Sequence, residues 1–557
     1  MTYRDPSPIS PEKPDYDKSK VNPKVANYTK QVREKQYGGD TREAMARTAE
    51  ISSITSRQAK EKSEEAYEIT QNLLDVSFDT AAINQNFEQR LDDKISNLQP
   101  EWTQFKDDTN EQLVQNQKEI TNLGGETINL SNYNRLMRTP ILMSAPEGFV
   151  FPFDLKIYDR GNGTFGLSHE ILDIFPFEAS LKTYYVDPVG GNDSNDGTSW
   201  ESAWQTLGRA NNESDCDVLE VRTGVYGHVS EGFRRPKNTN MKIISDGGKS
   251  IFFYGYDATY RTWTNEGGGC FSTSANIANM QYVADANNRN MNTPKMPVRL
   301  GKSDSISDCI ATANTFFYDS SRNRLYIHTF DGRQPDRAVM ITPGTGNPLF
   351  IRDQDISGDI SYYFENWIFE GGANVTSNES SKRIFIGFKN CEFSYSETSN
   401  GLNVRGNVFS YCDSCLAEYN YQDGFNYHDD DYLGGIAVEV DCVGRFNGLE
   451  RDTNIDNGST VHDGISIIRV NGIYHENQGR NVHDIEDTMS WNVGCTSFNS
   501  VPHDEENAGD FVAWHNTKMW LYKCNAETIK TRDDAIIRQR LSFYDNAEGN
   551  IQEYSAQ

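Results

Sequence analysis

Histidine followed directly by aspartate occurs twice within a short stretch in the last quarter of the chain. The two histidines are 21 positions apart, and a third histidine that precedes an acidic run lies upstream. An imidazole beside a carboxylate can act as an acid/base pair, because the carboxylate orients the ring and favours its protonated form. The candidate catalytic residues are therefore His428, His462, Asp463, His483 and Asp484.

Aromatic side chains near these histidines are candidates for binding sugar, because their apolar faces and polar edges suit a ring that carries hydroxyls. The candidate substrate-binding residues are Tyr427, Tyr474, Trp491 and Trp514. Imidazoles can also bind a divalent metal, although the sequence assigns no metal site. Three alternatives stay open for this region: catalysis, sugar binding without cleavage, and a repeated turn of the scaffold in which aspartate has only a structural role.

A second oxygen-rich segment is the loop NDSNDG at 192–197. Hard cations prefer clustered oxygen ligands, so this loop is a candidate site for a divalent cation such as calcium. The acidic residue that an EF-hand loop carries at its end is missing, and side chains that cap their own turn are the simpler interpretation. The sequence therefore predicts no certain cofactor.

Composition and charge exclude several functional classes. The chain has 557 residues, a formal net charge of -28 and a pI of about 4.8. Such a negative field opposes binding to nucleic acid and to anionic membranes. Neither a run of the ~20 apolar residues that span a membrane nor a secretory signal is evident. We expect synthesis in the cytoplasm without a signal peptide, no nucleic-acid partner and no membrane insertion.

The first third of the chain predicts an arm, a stalk and a neck. Residues 1–40 are polar and rich in proline at the start, and they end in a short helix. Residues 41–125 carry apolar side chains at alternating spacings of three and four from Ile69 onward, which is the seam of a coiled coil. The narrow seam favours self-association over a hairpin folded back on itself. Residues 126–181 predict a small β-rich neck.

From Lys182 onward the sequence consists of short strand-like runs separated by Asn, Asp and Gly turns. A small residue recurs in these runs at intervals of 21 to 30 positions, at Cys391, Cys412, Cys442, Gly472, Cys495 and Cys524. Repeats of this length predict one coil each of a β-solenoid, with the small residues in an internal ladder. If 21 residues make one coil, His462 and His483 lie at the same edge of neighbouring coils.

Residues 182–210 resemble the N-terminal cap of right-handed parallel β-helices of the pectin-lyase-like kind. The resemblance rests on Tyr185-Val186, on the loop 192–197 and on Thr206-Leu207. It implies that residues 182–557 form such a β-helix, a fold on which polysaccharide hydrolases and lyases are built. Asp533-Asp534 is similar to the paired aspartates of galacturonan hydrolases, but the accompanying motifs of that family are not evident.

The front of the chain resembles the anchors of tail-fibre and baseplate proteins of phages that infect Gram-positive bacteria. The matching segments are residues 30–35, 37–40 and 42–46, followed by the coiled coil. The resemblance implies a protein of the virion tail, made in the host cytoplasm. It also implies attachment to other tail or baseplate proteins through residues 1–40, and a homotrimeric shaft.

The predicted fold class is mainly β: a right-handed parallel β-helix, preceded by an α-helical coiled-coil stalk and a small β-rich neck. The predicted function is that of a structural tail fibre or tailspike, which binds a bacterial polysaccharide or a teichoic-acid-type glycopolymer through the β-helix. One alternative is a polysaccharide depolymerase, either a hydrolase or a lyase. The other is a purely architectural fibre without a ligand.

Overall fold

The computed structural model describes residues 142–554 except for 161–162, 178–180, 277–279, 290–296, 345, 430, 449–455 and 502–507, together with a few residues between 19 and 30. The predicted coiled coil at 41–125 lies outside the described residues, as does nearly all of the predicted arm, and both stay predictions. The chain divides into two compact units, Met1–Asn129 and Leu130–Gln557, and the elements described below belong to the second. None of the helices in the described part is both long and apolar enough to cross a membrane.

Three short antiparallel strands begin the described part, followed by a one-turn helix. They are β1 (Leu142–Met143), β2 (Ile157–Asp159), β3 (Phe165–Leu167) and α1 (Ile171–Ile174). These strands lie within the predicted neck.

The following residues wind into a parallel β-helix, in which a typical coil contributes one strand to each of three rows, called here sheets 1, 2 and 3. Sheet 1 contains twelve strands: β4 (Thr183–Val186), β5 (Val218–Arg222), β7 (Met241–Asp246), β19 (Ile360–Glu365), β22 (Ile384–Lys389), β25 (Val408–Asp413), β28 (Ile436–Val440), β31 (Ser466–Val470), β34 (Met489–Val493), β37 (Lys518–Tyr522), β39 (Ile536–Arg540) and β41 (Ile551–Glu553).

Sheet 2 contains β6 (Val225–Gly227), β8 (Ser250–Phe253), β20 (Trp367–Glu370), β23 (Glu392–Ser394), β26 (Leu416–Glu418), β29 (Val443–Arg445), β32 (Ile473–His475), β35 (Thr496–Phe498) and β40 (Phe543–Glu548). Sheet 3 contains β18 (Leu349–Arg352), β21 (Ala373–Ser377), β24 (Leu402–Gly406), β27 (Phe425–His428), β30 (Ser459–Val461), β33 (Val482–Asp484) and β36 (Phe511–Ala513). The long strand β38 (Asn525–Thr531) pairs with both rows. This strand pairing confirms the prediction of a mainly β fold with large parallel sheets.

The corner between sheets 1 and 2 has a left-handed residue in successive coils, with φ between 48° and 64°: Asn366, Asn390, Ser414, Asp441, Asn471, Gly494, Lys523 and Leu541. From the second corner onward, a small buried residue follows in six successive coils: Cys391, Cys415, Cys442, Gly472, Cys495 and Cys524. Each of these thiols donates a hydrogen bond to a carbonyl of the preceding coil, at 3.3 to 3.5 Å. The predicted internal ladder is therefore confirmed, with Cys415 in the place expected for Cys412.

The corner between sheets 2 and 3 is held by an asparagine ladder inside the β-helix. The side-chain amide of Asn420 donates to Asn447 at 3.0 Å, and that of Asn447 donates to Asn477 at 2.9 Å. All three side chains are buried. Buried amides are stable only when they are hydrogen-bonded, so stacking the same residue in successive coils satisfies each member.

The length of a coil varies along the β-helix, which corrects one expectation. Register partners in sheet 1 lie 24 residues apart at Ile360 and Ile384, but 30 apart at Ile436 and Ser466. In sheet 3, His483 pairs with Thr460 and not with His462. The 21-residue spacing of the two His-Asp pairs is therefore not a coil, and the two pairs occupy different positions in their coils.

Described residues of the neck cover part of the outer face of sheet 1. Phe149 lies against Trp491 and Trp520, with ring centroids 5.9 and 5.8 Å apart. Phe153 stacks on Phe409 at 4.8 Å. The strands of sheet 1 consequently bury apolar side chains on both faces, which is typical of parallel sheets covered on both sides.

Residues 254–348 form an insertion between β8 and β18. Its strands are β9 (Tyr256–Asp257), β10 (Thr264–Gly267), β11 (Cys270–Ser274), β12 (Tyr282–Arg289), β13 (Pro297–Arg299), β14 (Gly301–Lys302), β15 (Thr315–Asp319), β16 (Arg324–His328) and β17 (Val339–Thr342). They make a four-stranded and a five-stranded sheet. The remaining short helices are α2 (His228–Glu231), α3 (Ile306–Ala311) and the 3-10 turns Leu207–Asn212, Ala258–Tyr260 and Asp353–Asp355.

Candidate functional site

His428 and His462 lie together on the outer face of sheet 3. Their rings are stacked, with centroids 4.2 Å apart and planes at 5°. Nδ1 of His428 is 3.7 Å from Oδ2 of Asp463, and Nδ1 of His462 is 4.0 Å from Oε2 of Glu486. The structure thus brings three of the predicted site residues together and adds Glu486, which the sequence analysis did not select.

His483 lies on the same outer face but in a different environment. It is 5% exposed, and its ring meets the ring of Trp514 edge-on at 4.8 Å. The guanidinium groups of Arg480 and Arg532 lie 4.2 and 4.7 Å from the centre of the Trp514 ring. Burial, together with the nearby cations, holds the pKa of His483 well below its usual range. His483 is therefore neutral at physiological pH, so it cannot act as a cationic proton donor.

Asp484 points into the β-helix, which corrects its assignment as a catalytic residue. Side chains alternate between the two faces of a strand, so an outward His483 requires an inward Asp484. Its carboxylate accepts two hydrogen bonds from Arg469, at 3.1 and 2.9 Å, and both side chains are fully buried. Ser459 and Glu439 complete this internal network. Asp484 is thus a structural partner of a buried arginine.

Three of the predicted sugar-binding aromatic residues are also buried, and their assignment is corrected. Tyr427 and Tyr474 have no exposed surface and lie inside the β-helix. The hydroxyl of Tyr474 donates to Glu439. Trp491 points outward from sheet 1, but Phe149 of the neck covers it and leaves it 2% exposed. Only Trp514 is part of the outer surface, where it is half-buried.

The remaining acidic candidates have local roles. Asp463 and Asp533 adopt left-handed turns with φ of 58° and 55°, as the alternative of a structural turn predicts. In the loop 192–197, Asp193 accepts the backbone N–H groups of Gln205 and Thr206. Asp196 accepts the backbone N–H of Thr198. Within the part of the chain that the structure describes, no group of three His, Cys, Asp or Glu side chains is arranged to hold a metal ion.

The outer face of sheet 2 carries a group of carboxyls that the sequence analysis missed, called here the acid cluster: Glu370, Glu392, Glu397 and Glu418. Glu370, Ser394 and Glu418 are register partners on successive coils. Glu392 lies two residues before Ser394 on the same strand. With strands ~4.8 Å apart and a rise of ~3.3 Å per residue, the backbones of Glu370 and Glu392 are roughly 8 Å apart.

The insertion covers the acid cluster and brings a tyrosine and an arginine to it. The hydroxyl of Tyr282 donates to Oε1 of Glu370 at 3.2 Å. Arg299 pairs with Glu397 at 2.6 Å, and its guanidinium lies 4.0 Å from the centre of the Tyr282 ring. Oε2 of Glu370 is buried without a hydrogen-bond partner among the described residues. Glu370 is 3% exposed and Glu392 is 1% exposed.

The carboxyl of Glu370 binds its proton more tightly than an ordinary glutamate does. Burial raises its pKa to about 7, against the opposing effects of Arg299 and Tyr282 and with a smaller contribution from the neighbouring carboxylates. A carboxylic acid with a pKa near 7 can donate a proton at neutral pH, which an ordinary glutamate cannot. Paired carboxyls of which one is protonated are the arrangement that hydrolyses glycosidic bonds.

A row of aromatic side chains, called here the ring ladder, continues from the acid cluster along the edge of sheet 2. Its members are Tyr395, Tyr419, Phe446, His475 and Phe498. The centroids of Tyr395 and Tyr419 are 5.5 Å apart, and those of Tyr419 and Phe446 are 5.2 Å apart. His475 stacks on Phe498 at 4.9 Å. Apart from Tyr395, the members are half-buried, so each coil presents part of a ring to the surface.

A signal for the ring ladder was present in the sequence. Cys391, Cys415 and Cys442 are each followed four positions later by an aromatic residue, at Tyr395, Tyr419 and Phe446. The recurrence does not show when Cys412 stands in the ladder in place of Cys415, because the residue four positions after Cys412 is Leu416. The acid cluster has a weaker signal, since only the register of the strands and the insertion bring Glu370 beside Glu392.

Comparisons with known proteins find only distant similarity. No protein-family model and no curated protein matches the chain. A solved structure of a glycoside hydrolase is similar at 10% identity and a TM-score of 0.40, over 67% of this chain and 97% of that one. Pectate lyase Pel9A is similar at 9% identity and 0.29, over 68% and 79%. The tailspike protein gp49 from Pseudomonas phage LKA1 is similar at 11% identity and 0.24, over 62% and 69%. The fold assignment rests on the strand pairing.

Proposed function

We propose that this chain is a polysaccharide-binding protein of the phage tail-fibre or tailspike type, and that the outer face of sheet 2 binds a bacterial surface glycan. The ring ladder is the observation that carries the proposal. The rings of Tyr419 and Phe446 are stacked at 14° and cover part of each other's faces, and the apolar surface that each coil leaves exposed can contact the C–H groups of sugar rings. Rings in successive coils form a track that suits a polymer. The acid cluster lies at one end of this track beneath the insertion, and its carboxyls accept hydrogen bonds from sugar hydroxyls only when Tyr282 and Arg299 move away.

The attachment and assembly of the protein are part of the same proposal. Residues 1–40 bind other tail or baseplate proteins, and residues 41–125 join three copies as a coiled coil. The support is the heptad spacing and the resemblance of the first residues to phage anchors. Light scattering of the full chain is expected to give three times the 63.1 kDa mass, and a monomer at micromolar concentration would refute the trimer.

The binding function is tested by removing rings from the ladder. Wild type, Tyr419→Ala and Phe446→Ala are presented to immobilised wall and capsular polysaccharides from a panel of Gram-positive bacteria. Each variant is expected to bind about tenfold more weakly, because one lost ring contact is worth roughly 1.4 kcal/mol at most. Tyr260→Ala, which removes an exposed aromatic residue of the insertion, is the matched control. Equal binding by all four proteins would refute the assignment of the ladder.

Cleavage of the bound glycan is a second candidate function, and Glu370 favours it, because its pKa is raised to about 7 and its Oε2 has no hydrogen-bond partner among the described residues. In this mechanism Glu370 protonates the leaving oxygen, and Glu392 accepts a proton from the attacking water. Because the insertion covers both carboxyls, a sugar reaches them only when Tyr282 and Arg299 move away from sheet 2.

The cleavage function is tested by incubating the protein with the polymer that it binds and measuring new chain ends. Glu370→Gln is expected to keep binding and to lose cleavage by a factor of at least 100. Glu379→Gln, a change of the same type at an exposed carboxylate paired with Lys382, is expected to cleave like wild type. If wild type produces no new ends from any polymer that it binds, the protein is a binding protein only.

A further inference from the structure

The basic side chains near the acid cluster restrict the charge of a ligand that can bind there. Among the described residues, three basic side chains approach this cluster, and each is already paired with one of its carboxylates. Arg299 lies 2.6 Å from Glu397. Arg445 lies 2.7 Å from Glu418. Lys249 lies 4.0 Å from Glu392.

These pairs make the site unfavourable for an anionic polymer. A uronate or phosphate group brings its own negative charge into a region where desolvation already costs free energy. Recognition of such groups uses arginine or lysine that faces the anion, often with two parallel hydrogen bonds. Here a sugar carboxylate would have to compete with Glu397 and Glu418 for their arginines. It would also lie beside Glu370, whose own charged form is disfavoured by burial.

The same pairs argue against cleavage by elimination. Elimination from a uronate needs a cation that neutralises the sugar carboxylate and a base that removes the adjacent proton. Arg299 and Arg445 are held by carboxylates of the protein, so neither faces a sugar carboxylate in order to neutralise it. Hydrolysis needs neither a sugar carboxylate nor a cation that neutralises it.

The ring ladder points to the same class of ligand. The contact between an aromatic ring and the C–H groups of a pyranose is apolar, and it needs no charge on the sugar. Between Tyr419 and Phe446 the ladder presents stacked rings at 5.2 Å, next to Glu418, which Arg445 neutralises. A track of this kind suits an uncharged or N-acetylated sugar.

We infer that the sheet-2 face takes a neutral glycan, and that any cleavage there is hydrolysis; this inference rests on the proposed function. In the balanced reaction, water adds to the anomeric carbon and the bond from that carbon to the bridging oxygen breaks. The bridging oxygen takes the proton of Glu370, and Glu392 takes a proton from the water. Transfer of that proton to solvent and reprotonation of Glu370 restore the starting state, without an oxidant, a reductant or a metal.

The test uses the full chain and begins with the polymer that the binding screen selects. If that polymer carries uronate or phosphate groups, it is measured before and after chemical reduction of its carboxyls or removal of its phosphates. The neutralised form is expected to bind at least as tightly as the native form. Its affinity is expected to change less than twofold between 50 and 300 mM salt, because screening weakens only charge-dependent contacts.

Loss of binding by tenfold or more on neutralisation would overturn the inference and leave the proposed function standing. Failure of every polymer in the screen to bind would instead overturn both. The chemistry is tested by following reducing ends and the ultraviolet absorbance of unsaturated ends in parallel. Reducing ends alone are expected, and unsaturated ends would contradict hydrolysis. Glu370→Gln is compared with Glu379→Gln, and thermal unfolding of both variants verifies that they fold.

Discussion

Asp484 and Glu370 are both buried carboxyls at the last position of a short strand, yet their surroundings differ. Asp484 faces the interior of the β-helix and receives two hydrogen bonds from Arg469. Glu370 faces outward beneath the insertion, receives one hydrogen bond from Tyr282 and leaves one oxygen unpartnered among the described residues. Burial alone therefore does not mark a functional carboxyl. The hydrogen-bond partner of a buried carboxyl decides which form is favoured. An arginine stabilises the charged form, whereas an incomplete set of donors favours the protonated form.

The largest expected effect concerns the paired carboxyl. Asp484→Asn leaves Arg469 as a buried charge without its bidentate partner, and the free energy of unfolding is expected to fall by about 3–5 kcal/mol. Denaturant unfolding followed by circular dichroism measures the change. Asp463→Asn is the control, since asparagine tolerates a left-handed turn, and it is expected to alter stability by about 0.5 kcal/mol or less. Equal losses of stability in the two variants would contradict the difference proposed between the buried Asp484 and the surface residue Asp463.

The second effect concerns the carboxyl of Glu370 and appears as a dependence of the free energy of unfolding on pH. The pKa of Glu370 is about 7 in the folded chain against 4.5 for an ordinary glutamate, so the folded state binds the extra proton. Its contribution to stability is complete below pH 4.5 and falls as the pH rises to 7, by roughly 3 kcal/mol at ~1.4 kcal/mol per unit.

Comparison of unfolding midpoints from pH 4.5 to 7.5 measures this contribution. Glu370→Gln mimics the protonated acid and is expected to lose the contribution, whereas Glu379→Gln is expected to keep it. An unchanged pH profile in Glu370→Gln would show that Glu370 is charged throughout this pH range.

A smaller effect is expected from the donor that Glu370 does have. Tyr282→Phe removes the hydrogen bond to Oε1 and is expected to cost about 1 kcal/mol of stability at pH 5. Because this bond lowers the pKa of Glu370, its loss is expected to shift the pH-dependent fall in stability to higher pH. A shift to lower pH would contradict the role given to Tyr282.

The smallest effects are expected for the stacked histidines of sheet 3. His428→Ala and His462→Ala each remove one partly exposed ring and an ion pair longer than 3.5 Å. Surface contacts of this kind are worth ~0–1 kcal/mol. Glycan binding is expected to be unchanged, in contrast to Tyr419→Ala. Loss of binding in both histidine variants, with binding retained in the ladder variants, would move the site from sheet 2 to sheet 3.

Much of the β-helix could be predicted from short-range patterns. Strand-like runs between Asn and Gly turns, with a cysteine such as Cys442 or Cys495 in each repeat, indicate coils that stack small residues. The number of residues per coil could not be predicted, because the loops between strands vary while the corners stay constant. An error of a few residues in coil length was enough to pair His462 with His483, although the true partner of His483 is Thr460.

Residue types and their recurrence were thus sufficient to define a mainly parallel β architecture, its internal ladder and an aromatic residue four positions after several cysteines. Which side chains face a ligand depended on the tertiary structure. One position along a strand separates His483 on the surface from Asp484 in the core, because side chains alternate between faces. Whether an outward residue is accessible depends on what packs over it: the neck covers Trp491, and the insertion covers Glu370. Both contacts join residues more than 80 positions apart in the chain, and no local pattern encodes them.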